Sequence, residues 1–216
     1  ARKIKSYEVE KNWYEQYSNA CGENCRIPKF IHSWLNEGES FILLEDLNDS
    51  GFPLRKSTLS QAEIIGCLKW LAHFHATFLN SESIDLWDVG TYWHLQTRPD
   101  ELHKMVNGAL KQAAITLDKE LNDCQFLTLV HGDAKVANFC FGKTPNDVAA
   151  LDFQYVGGGC GMKDVAYFLG SVLDEDQLEL LEDDLLAKYF SFLKEAVDIK
   201  MMKVDFNSLE IEWRRL

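Results

Sequence analysis

The spacing of apolar and polar residues predicts a helix followed by a strand hairpin at the start of the chain. Between Ser6 and Tyr17, apolar residues form one broad band with charged residues around it, as in an amphipathic helix. Two apolar segments follow at residues 27–34 and 40–44, and each predicts a strand. The polar residues 36–39 carry turn chemistry, so these two strands are expected to form a hairpin.

A polar segment and a long helix come next. Residues 45–53 contain glycine and proline among acidic and polar residues, and this composition predicts a linker. Ser60 and Glu63 have the spacing of a capping box, in which two side chains satisfy backbone N–H groups at a helix start. Apolar residues recur at helical spacing from there to Leu79, so a helix is predicted over this stretch.

The second half of the chain is predicted to be mainly helical. Residues 91–119 predict a helix, with Arg98-Pro99-Asp100-Glu101 near its start. Apolar residues between Leu178 and Leu193 mark another amphipathic helix, and residues 210–216 look like a helix cut off in progress. Because the chain also opens with Ala1 instead of Met, we expect the sequence to be part of a longer protein.

Two short apolar runs lie between these helices, and each leads into an acidic residue in a polar turn. Residues 126–130 precede the sequence His-Gly-Asp-Ala-Lys-Val-Ala-Asn at positions 131–138. Residues 148–151 precede Asp152-Phe-Gln. A triple glycine at 157–159 follows the second turn and predicts a flexible turn of its own. Candidate chemistry is therefore concentrated in these two turns.

Composition and charge narrow the possible partners. With 216 residues, of which 46% are hydrophobic, the chain can bury a core as one large domain or as two small lobes. Its net charge of −12 argues against nucleic acid or an anionic membrane surface as a partner. The sequence shows no apolar run long enough to span a membrane and no secretory signal, so a cytoplasmic protein is expected.

The six cysteines are scattered along the chain. Cys21 and Cys25 are close in sequence, but a zinc ribbon needs two close pairs with tighter spacing. We therefore expect reduced, cytosolic thiols and no structural zinc.

The two acidic turns carry the residue types that phosphoryl transfer from ATP requires. The reaction needs a carboxylate to accept the proton of the attacking hydroxyl, and oxygen ligands to hold Mg²⁺ across the phosphates. Asp133 suits the first role, whereas Asn138 and Asp152 suit the second. The short loop lets Asp133 and Asn138 face one site, and the second strand brings Asp152 beside them.

These residues resemble a known family. The pattern H-G-D-x-x-x-x-N, then an apolar strand, then D-F-Q is similar to the aminoglycoside phosphotransferase and choline kinase group. More narrowly, the chain resembles the ecdysteroid kinase-like members, over about residues 6 to 200. Further segments match the family in order: Glu10–Tyr14, Phe41–Leu47, Leu71–Ala76 and Asp164–Phe168.

The resemblance implies an α+β, protein-kinase-like fold with two lobes. Residues 1–47 would form an incomplete N-terminal lobe, because the sequence contains neither the first strands nor the glycine-rich loop. Residues 48–216 would form a mainly helical catalytic lobe. ATP and Mg²⁺ are the implied cofactors, and the implied enzyme is an ATP-dependent phosphotransferase acting on an alcohol group.

The resemblance also implies roles around the nucleotide. The backbone of Glu45, Asp46 and Leu47 would form the hinge that meets the adenine. Glu10 would be the helix glutamate that pairs with a strand lysine, for which this sequence offers no candidate. Lys135 follows the catalytic aspartate by two positions. It would either neutralise charge that develops on the γ-phosphate or be an ordinary surface lysine, and the sequence leaves both open.

The acceptor is expected to be a small hydroxylated molecule. The eleven residues 153–163 leave no room for the peptide platform of a protein kinase, and Gly132 replaces the arginine that binds a phosphorylated activation loop. An apolar alcohol is slightly favoured over choline or an aminoglycoside. Trp87, Tyr92 and Trp93 could line its pocket, although such aromatic residues are more often part of a core.

Two other functions remain open. The chain could be an inactive kinase-like module that binds ligand without turnover, although the complete Asp/Asn/Asp set argues against this. It could also be a metal-dependent phosphohydrolase, but that chemistry needs more histidines in strand-end loops than this chain offers. His131 is expected to make structural hydrogen bonds, and Asp164 is expected to brace the catalytic loop or cap a helix.

Overall fold

The computed structural model describes residues 2–36 and 39–216. Helix α1 spans Arg2–Asn12 and continues as a π-helical turn over Trp13–Tyr17, so the first helix begins four residues earlier than predicted. Strands β1, Phe30–Asn36, and β2, Glu39–Leu44, form the predicted antiparallel hairpin. Positions 37 and 38 of the predicted turn lie outside the described residues. The linker prediction is confirmed in part, because residues 47–51 form a turn.

Helix α2 spans Gln61–Thr77 and starts as its sequence predicts. The Ser60 hydroxyl accepts a hydrogen bond from the Glu63 backbone N–H, and the Glu63 carboxylate accepts one from Ser60 N at 2.8 Å. This capping box satisfies N–H groups that the first turn of a helix leaves without partners. Most of the helix is buried, and it packs along the long helix α6, Glu175–Ile199.

The structure divides the helix predicted within residues 91–119 into two helices. The structure has a 3₁₀ turn at Leu95–Thr97, helix α3 at Pro99–Lys104 and helix α4 at Ala109–Asn122. The predicted start is correct, since Pro99 occupies the first turn of α3. The chain leaves the helical conformation at Met105 and stays extended at Gly108, which carries little helix propensity. The spacing of apolar residues does not by itself reveal this break between the two helices.

The two apolar runs form short strands, and both pair with strands that the sequence did not predict. Strand β3, Thr128–Val130, pairs with β6, Gly157–Gly159, whereas β5, Val148–Ala150, pairs with β4, Phe139–Phe141. The flexible turn predicted for the triple glycine is therefore wrong. The Trp87 backbone runs so close to β6 that a Cβ on Gly157 would lie 2.1 Å from the Trp87 carbonyl oxygen, which explains the glycine.

One hydrophobic core joins the first helix to the rest of the chain. The ring of Trp13 stacks on that of Phe153 at 4.6 Å between centroids, and Phe74 of α2 packs against both. Helices α5, Met162–Val172, and α7, Phe206–Arg215, close this core. The division into lobes at residues 1–47 and 48–216 stays a prediction. Among the described residues, no helix is both long and apolar enough to cross a membrane.

Candidate active site

The catalytic loop, residues 131–138, begins directly after β3 with a backbone turn that needs glycine. Gly132 has φ +82°, a left-handed conformation that side chains other than glycine rarely adopt. A Cβ at this position would also lie 2.1 Å from the carbonyl oxygen of Tyr155. The close approach of these two backbones explains why glycine precedes Asp133.

Asp164 of α5 stabilises the backbone at the start of the catalytic loop. Its carboxylate accepts hydrogen bonds from the backbone N–H groups of His131, at 2.6 Å, and Gly132, at 2.9 Å. His75 of α2 lies 3.1 Å from the same carboxylate and 2.8 Å from the Tyr189 hydroxyl of α6. Burial alone would raise the pKa of Asp164, but the hydrogen bonds from His75 and Gly132 lower it below its usual value. Three helices thus hold an ionised carboxylate under the loop.

Within this loop, the Asp133 carboxylate is held by one oxygen and leaves the other without a partner. Its Oδ2 accepts hydrogen bonds from Lys135 Nζ, at 2.7 Å, and Asn138 Nδ2, at 3.1 Å. Its Oδ1 is buried and has no hydrogen-bond partner among the described residues. A buried acceptor without a partner is costly, so this oxygen is ready to accept a hydrogen bond from a bound molecule.

Asp152 is held in a strained backbone conformation beside the loop. Its φ of +69° is left-handed, which is uncommon for residues other than glycine and often marks functional sites. The preceding residue, Leu151, donates its N–H to the Asn138 carbonyl at 3.0 Å, and its carbonyl lies 3.0 Å from His131 Nε2. The second predicted turn is therefore bound directly to the first. Asp152 Oδ1 is also buried without a partner among the described residues.

Asn138 and Asp152 suit a divalent cation that also binds phosphate. The described residues contain no group of three His, Cys, Asp or Glu side chains that could hold a metal ion. Mg²⁺ prefers oxygen ligands and commonly combines one or two carboxylates with substrate phosphates. A lone aspartate with an asparagine fits that second pattern.

An open cavity of about 440 Å³ lies next to Asp152 and is lined by the residues predicted to contact the nucleotide. They include Glu10 and the hinge residues Glu45, Asp46 and Leu47. Glu10 Oε1 accepts a hydrogen bond from Phe153 N at 3.1 Å. Burial, and then the negative charge of Asp152, raise the pKa of Glu10 to about 7.

The side chains of the hinge are engaged within the protein. Burial would raise the pKa of Glu45, but Arg26 at 2.6 Å, the Ser50 hydroxyl at 2.7 Å and the Lys29 N–H at 2.9 Å outweigh it and hold the pKa at about 2. The Asp46 carbonyl accepts from Ser50 N, and the Leu47 carbonyl accepts from Phe52 N. Any adenine contact would therefore use the remaining backbone groups of this segment.

Tyr167 is a site residue that the motif reasoning missed. It lies one turn after Asp164 on α5, and burial followed by the charge of Asp133 raises the pKa of its hydroxyl. Lys135 has 40% of its side chain exposed, and although burial opposes its charge, Asp133 raises its pKa. Helical spacing from Asp164 was the signal that could have identified Tyr167.

A second cavity of about 440 Å³ begins at Trp93, whose ring lies 6.4 Å from that of Tyr167. Of the three aromatic residues predicted to line an acceptor pocket, Trp93 lines this cavity, whereas Trp87 and Tyr92 pack against Tyr155. A role for this cavity in acceptor binding stays a prediction. Most other residues around this cavity are apolar side chains of α3, α4 and the chain end: Leu95, Leu102, Met105, Leu110, Ala114, Leu117, Leu121 and Leu216.

Comparisons with known proteins agree with the fold and identify the family. The model of the ecdysteroid kinase-like family matches residues 2–85 and 89–202. No curated protein matches the chain.

Two solved structures resemble this one at 14% sequence identity. An aminoglycoside-3'-phosphotransferase of type VIII has a TM-score of 0.51, with 98% of this chain and 80% of that chain covered. An amicoumacin kinase, solved in complex with AMP-PNP, Ca²⁺ and Ami, has a TM-score of 0.53, with 99% and 69% covered. At this identity, the two structures establish that the fold is kinase-like.

Proposed function

Because this chain belongs to the ecdysteroid kinase-like family, we propose that it transfers the γ-phosphate of ATP to a hydroxyl of a small molecule. One observation carries the proposal. The described residues contain six buried side-chain polar atoms without a partner, and two of them are carboxylate oxygens, Asp133 Oδ1 and Asp152 Oδ1. Both belong to the motif that predicts phosphoryl transfer, so two charged groups with an unsatisfied oxygen lie where ligands would satisfy them.

In this proposal, each residue of the motif has its own role in the reaction. Asp133 Oδ1 accepts the hydrogen bond and then the proton of the acceptor hydroxyl, while Lys135 and Asn138 hold Oδ2 and fix the direction of Oδ1. Asn138 and Asp152 hold Mg²⁺, which neutralises phosphate charge when bound. Lys135 is also exposed enough to reach a phosphate beside Asp133.

The nucleotide would occupy the cavity beside Asp152. The backbone of Glu45, Asp46 and Leu47 lines the wall opposite Glu10 in this proposal and receives the adenine. Glu10 would be ionised once a cation or a lysine faces it, since the negative charge of Asp152 would then be offset. The complex of the amicoumacin kinase with AMP-PNP and Ca²⁺ supports the use of a nucleotide and a divalent cation on this fold.

We further propose that the acceptor is an apolar alcohol. Part of the short segment 153–163 is tied into the β3–β6 pair, which supports a small acceptor over a docked peptide. The cavity at Trp93 is lined mainly by leucines, which suits an apolar body better than a cationic sugar or choline. The proposed location is cytoplasmic, which six free cysteines support.

Loss of the metal ligand tests this function. Mg²⁺-ATP at about 100 times its Kd should stabilise the protein by roughly 2.7 kcal/mol, which raises the melting temperature. Asp152→Ala should remove the rise, whereas Asp176→Ala, an exposed change in the first turn of α6, should keep it. Chelation of Mg²⁺ by EDTA should abolish the shift in the unmodified protein. An equal shift in the Asp152 variant would contradict the metal assignment.

The alternative of an inactive ligand-binding module makes a different prediction. Such a module would bind nucleotide and small molecule without consuming ATP. The convergence of Asp133, Asn138 and Asp152 in one site favours turnover. ATP consumption against panels of alcohols, amines and generic peptides separates the two functions: an active kinase consumes ATP with an alcohol, and peptide phosphorylation alone would contradict the small acceptor.

A further inference from the structure

Arg98 lies at the edge of the apolar cavity with part of its guanidinium unsatisfied. Its plane stacks on the Tyr92 ring, 3.8 Å from Cζ to the ring centroid, and its Nε donates to the Tyr92 carbonyl at 3.2 Å. Nη1 donates to Glu101 at 2.5 Å. Nη2 is buried and has no hydrogen-bond partner among the described residues. Three contacts thus hold the side chain in place, and one charged donor, Nη2, has no partner among the described residues.

This donor belongs to a side chain that lines the cavity, and it is costly to leave without a partner. A buried donor without a partner costs about 1–3 kcal/mol, and more for a charged group. Arg98 lines the cavity whose other walls are mainly apolar. The two carboxylates at the cavity have partners of their own, because Glu101 binds Arg98 Nη1 and Asp118 binds His94 at 3.1 Å. An oxygen atom on a molecule in the cavity would accept the hydrogen bond that Nη2 can donate.

The cavity is connected to the catalytic loop through two neighbouring residues. Tyr92 donates its N–H to the Gly132 carbonyl at 2.7 Å, so the segment that carries Arg98 is bound to the backbone beside Asp133. Trp93 lies between the cavity and Tyr167, whose pKa responds to the charge of Asp133. A molecule in the cavity would therefore contact Trp93, whose ring adjoins that of Tyr167 near Asp133.

We propose that Arg98 is a specificity-determining residue that donates a hydrogen bond to a second oxygen of the acceptor. The ligand class is an elongated apolar molecule that carries a hydroxyl at one end, for Asp133, and a carbonyl or hydroxyl oxygen at the other, for Arg98 Nη2. This inference rests on the proposed function for the identity of the first end. Binding in the cavity itself needs neither nucleotide nor metal.

Two fluorescent probes with the same naphthalene body test the proposal. Prodan carries a neutral ketone oxygen, whereas N-phenyl-1-naphthylamine carries no oxygen. Both should bind the unmodified protein without nucleotide. Arg98→Met should weaken prodan by about tenfold, because a hydrogen bond to a charged group is worth about 1.5–3 kcal/mol. The affinity for N-phenyl-1-naphthylamine should change less than twofold.

Two variants act as controls. Glu101→Gln removes the ion pair of Arg98 but keeps Nη2, so prodan affinity should stay within about twofold. Ala114→Trp fills the cavity from α4 and should abolish binding of both probes. Thermal melts of each variant verify that the fold is kept.

Each other outcome overturns the proposal. No binding of either probe would show that the cavity takes no apolar ligand, and equal weakening of both by Arg98→Met would show that Arg98 only shapes it. Unchanged affinities in Arg98→Met, or retained binding in Ala114→Trp, would also contradict it. Failure of the proposed function would give another result. Mg²⁺-ATP binding and turnover would be missing, but Arg98→Met would still weaken prodan binding more than N-phenyl-1-naphthylamine binding.

Discussion

The catalytic loop and the segment from Thr91 to Asn122 are in contact, through the hydrogen bond from Tyr92 N–H to the Gly132 carbonyl, but are held in opposite ways. In the loop, the buried Asp164 carboxylate accepts hydrogen bonds from the backbone N–H groups of His131 and Gly132. His75 lies within hydrogen-bond distance of that carboxylate and of the Tyr189 hydroxyl. In the segment, neither α3 nor α4 has a buried residue. Phosphoryl transfer needs fixed geometry, whereas recognition of an acceptor tolerates local adjustment. The proposed reaction centre is therefore held by buried hydrogen bonds, whereas the proposed binding wall, the segment from Thr91 to Asn122, is loosely packed.

The largest effect that separates the two regions should be on turnover. Asp133→Asn removes the proposed base, and loss of a general base typically slows a reaction about 10²–10⁴-fold. Nucleotide affinity should change little, because the proposed contact of Asp133 is with the acceptor. Steady-state ATP consumption and nucleotide titration measure the two quantities. Turnover near that of the unmodified protein would mean that Asp133 is not the base.

The same chemical change should cost very different stability in the two regions. Asp164→Asn replaces a buried carboxylate that accepts from two backbone N–H groups, so the free energy of unfolding should fall by about 3 kcal/mol. Asp118→Asn, at a partly exposed pair with His94 on α4, should cost less than about 1 kcal/mol. Denaturant unfolding of both variants measures the difference, and equal losses would break the comparison.

The pH dependence of stability should report the ionisation of Glu10 in the cavity beside Asp152. Its pKa is about 7 in the folded protein and about 4.5 when unfolded, so the folded state binds more protons between these values. Stability should therefore decrease as the pH rises from about 4.5 to about 7, by up to about 3 kcal/mol, and then level off. Glu10→Gln should match the original protein near pH 4.5 and exceed it in stability at pH 8.

This experiment is done in EDTA without nucleotide, so that no cation faces Glu10. Since the two proteins are compared at each pH, titration of other groups cancels in the difference. A difference between them that stays constant from pH 4.5 to pH 8 would contradict the raised pKa of Glu10.

The smallest effect is expected at the surface of the binding wall. Ile115 of α4 is 70% exposed, so Ile115→Ala should change the free energy of unfolding by less than about 0.5 kcal/mol. Leu169→Ala in α5, where the side chain is 3% exposed, should cost about 2–5 kcal/mol and serves as the matched core variant. A cost above 1 kcal/mol at Ile115 would show that α4 packs more tightly than its exposure indicates.

The sequence by itself determined the residues of the proposed reaction centre and the starts of α2 and α3. The residues of the catalytic loop are contiguous, so Asp133, Lys135 and Asn138 had to lie near each other, and a short strand could bring Asp152 to them. The capping box at Ser60 was equally readable, because both of its hydrogen bonds are made within one turn. Features like these depend on neighbours a few residues apart, which periodicity and spacing report directly.

Tertiary structure alone decided which distant groups complete the site. The His75–Asp164 contact joins residues 89 positions apart, and no local pattern selects that pairing over another. Gly157–Gly159 forms a strand because it pairs with β3, although its composition predicts a turn, and the Trp87 backbone lies too close to Gly157 for a side chain there. The lack of a hydrogen-bond partner for Arg98 Nη2 among the described residues likewise depends on the groups packed around it. Burial and hydrogen-bond satisfaction are properties of packing between distant segments, and they exist only once the chain has folded.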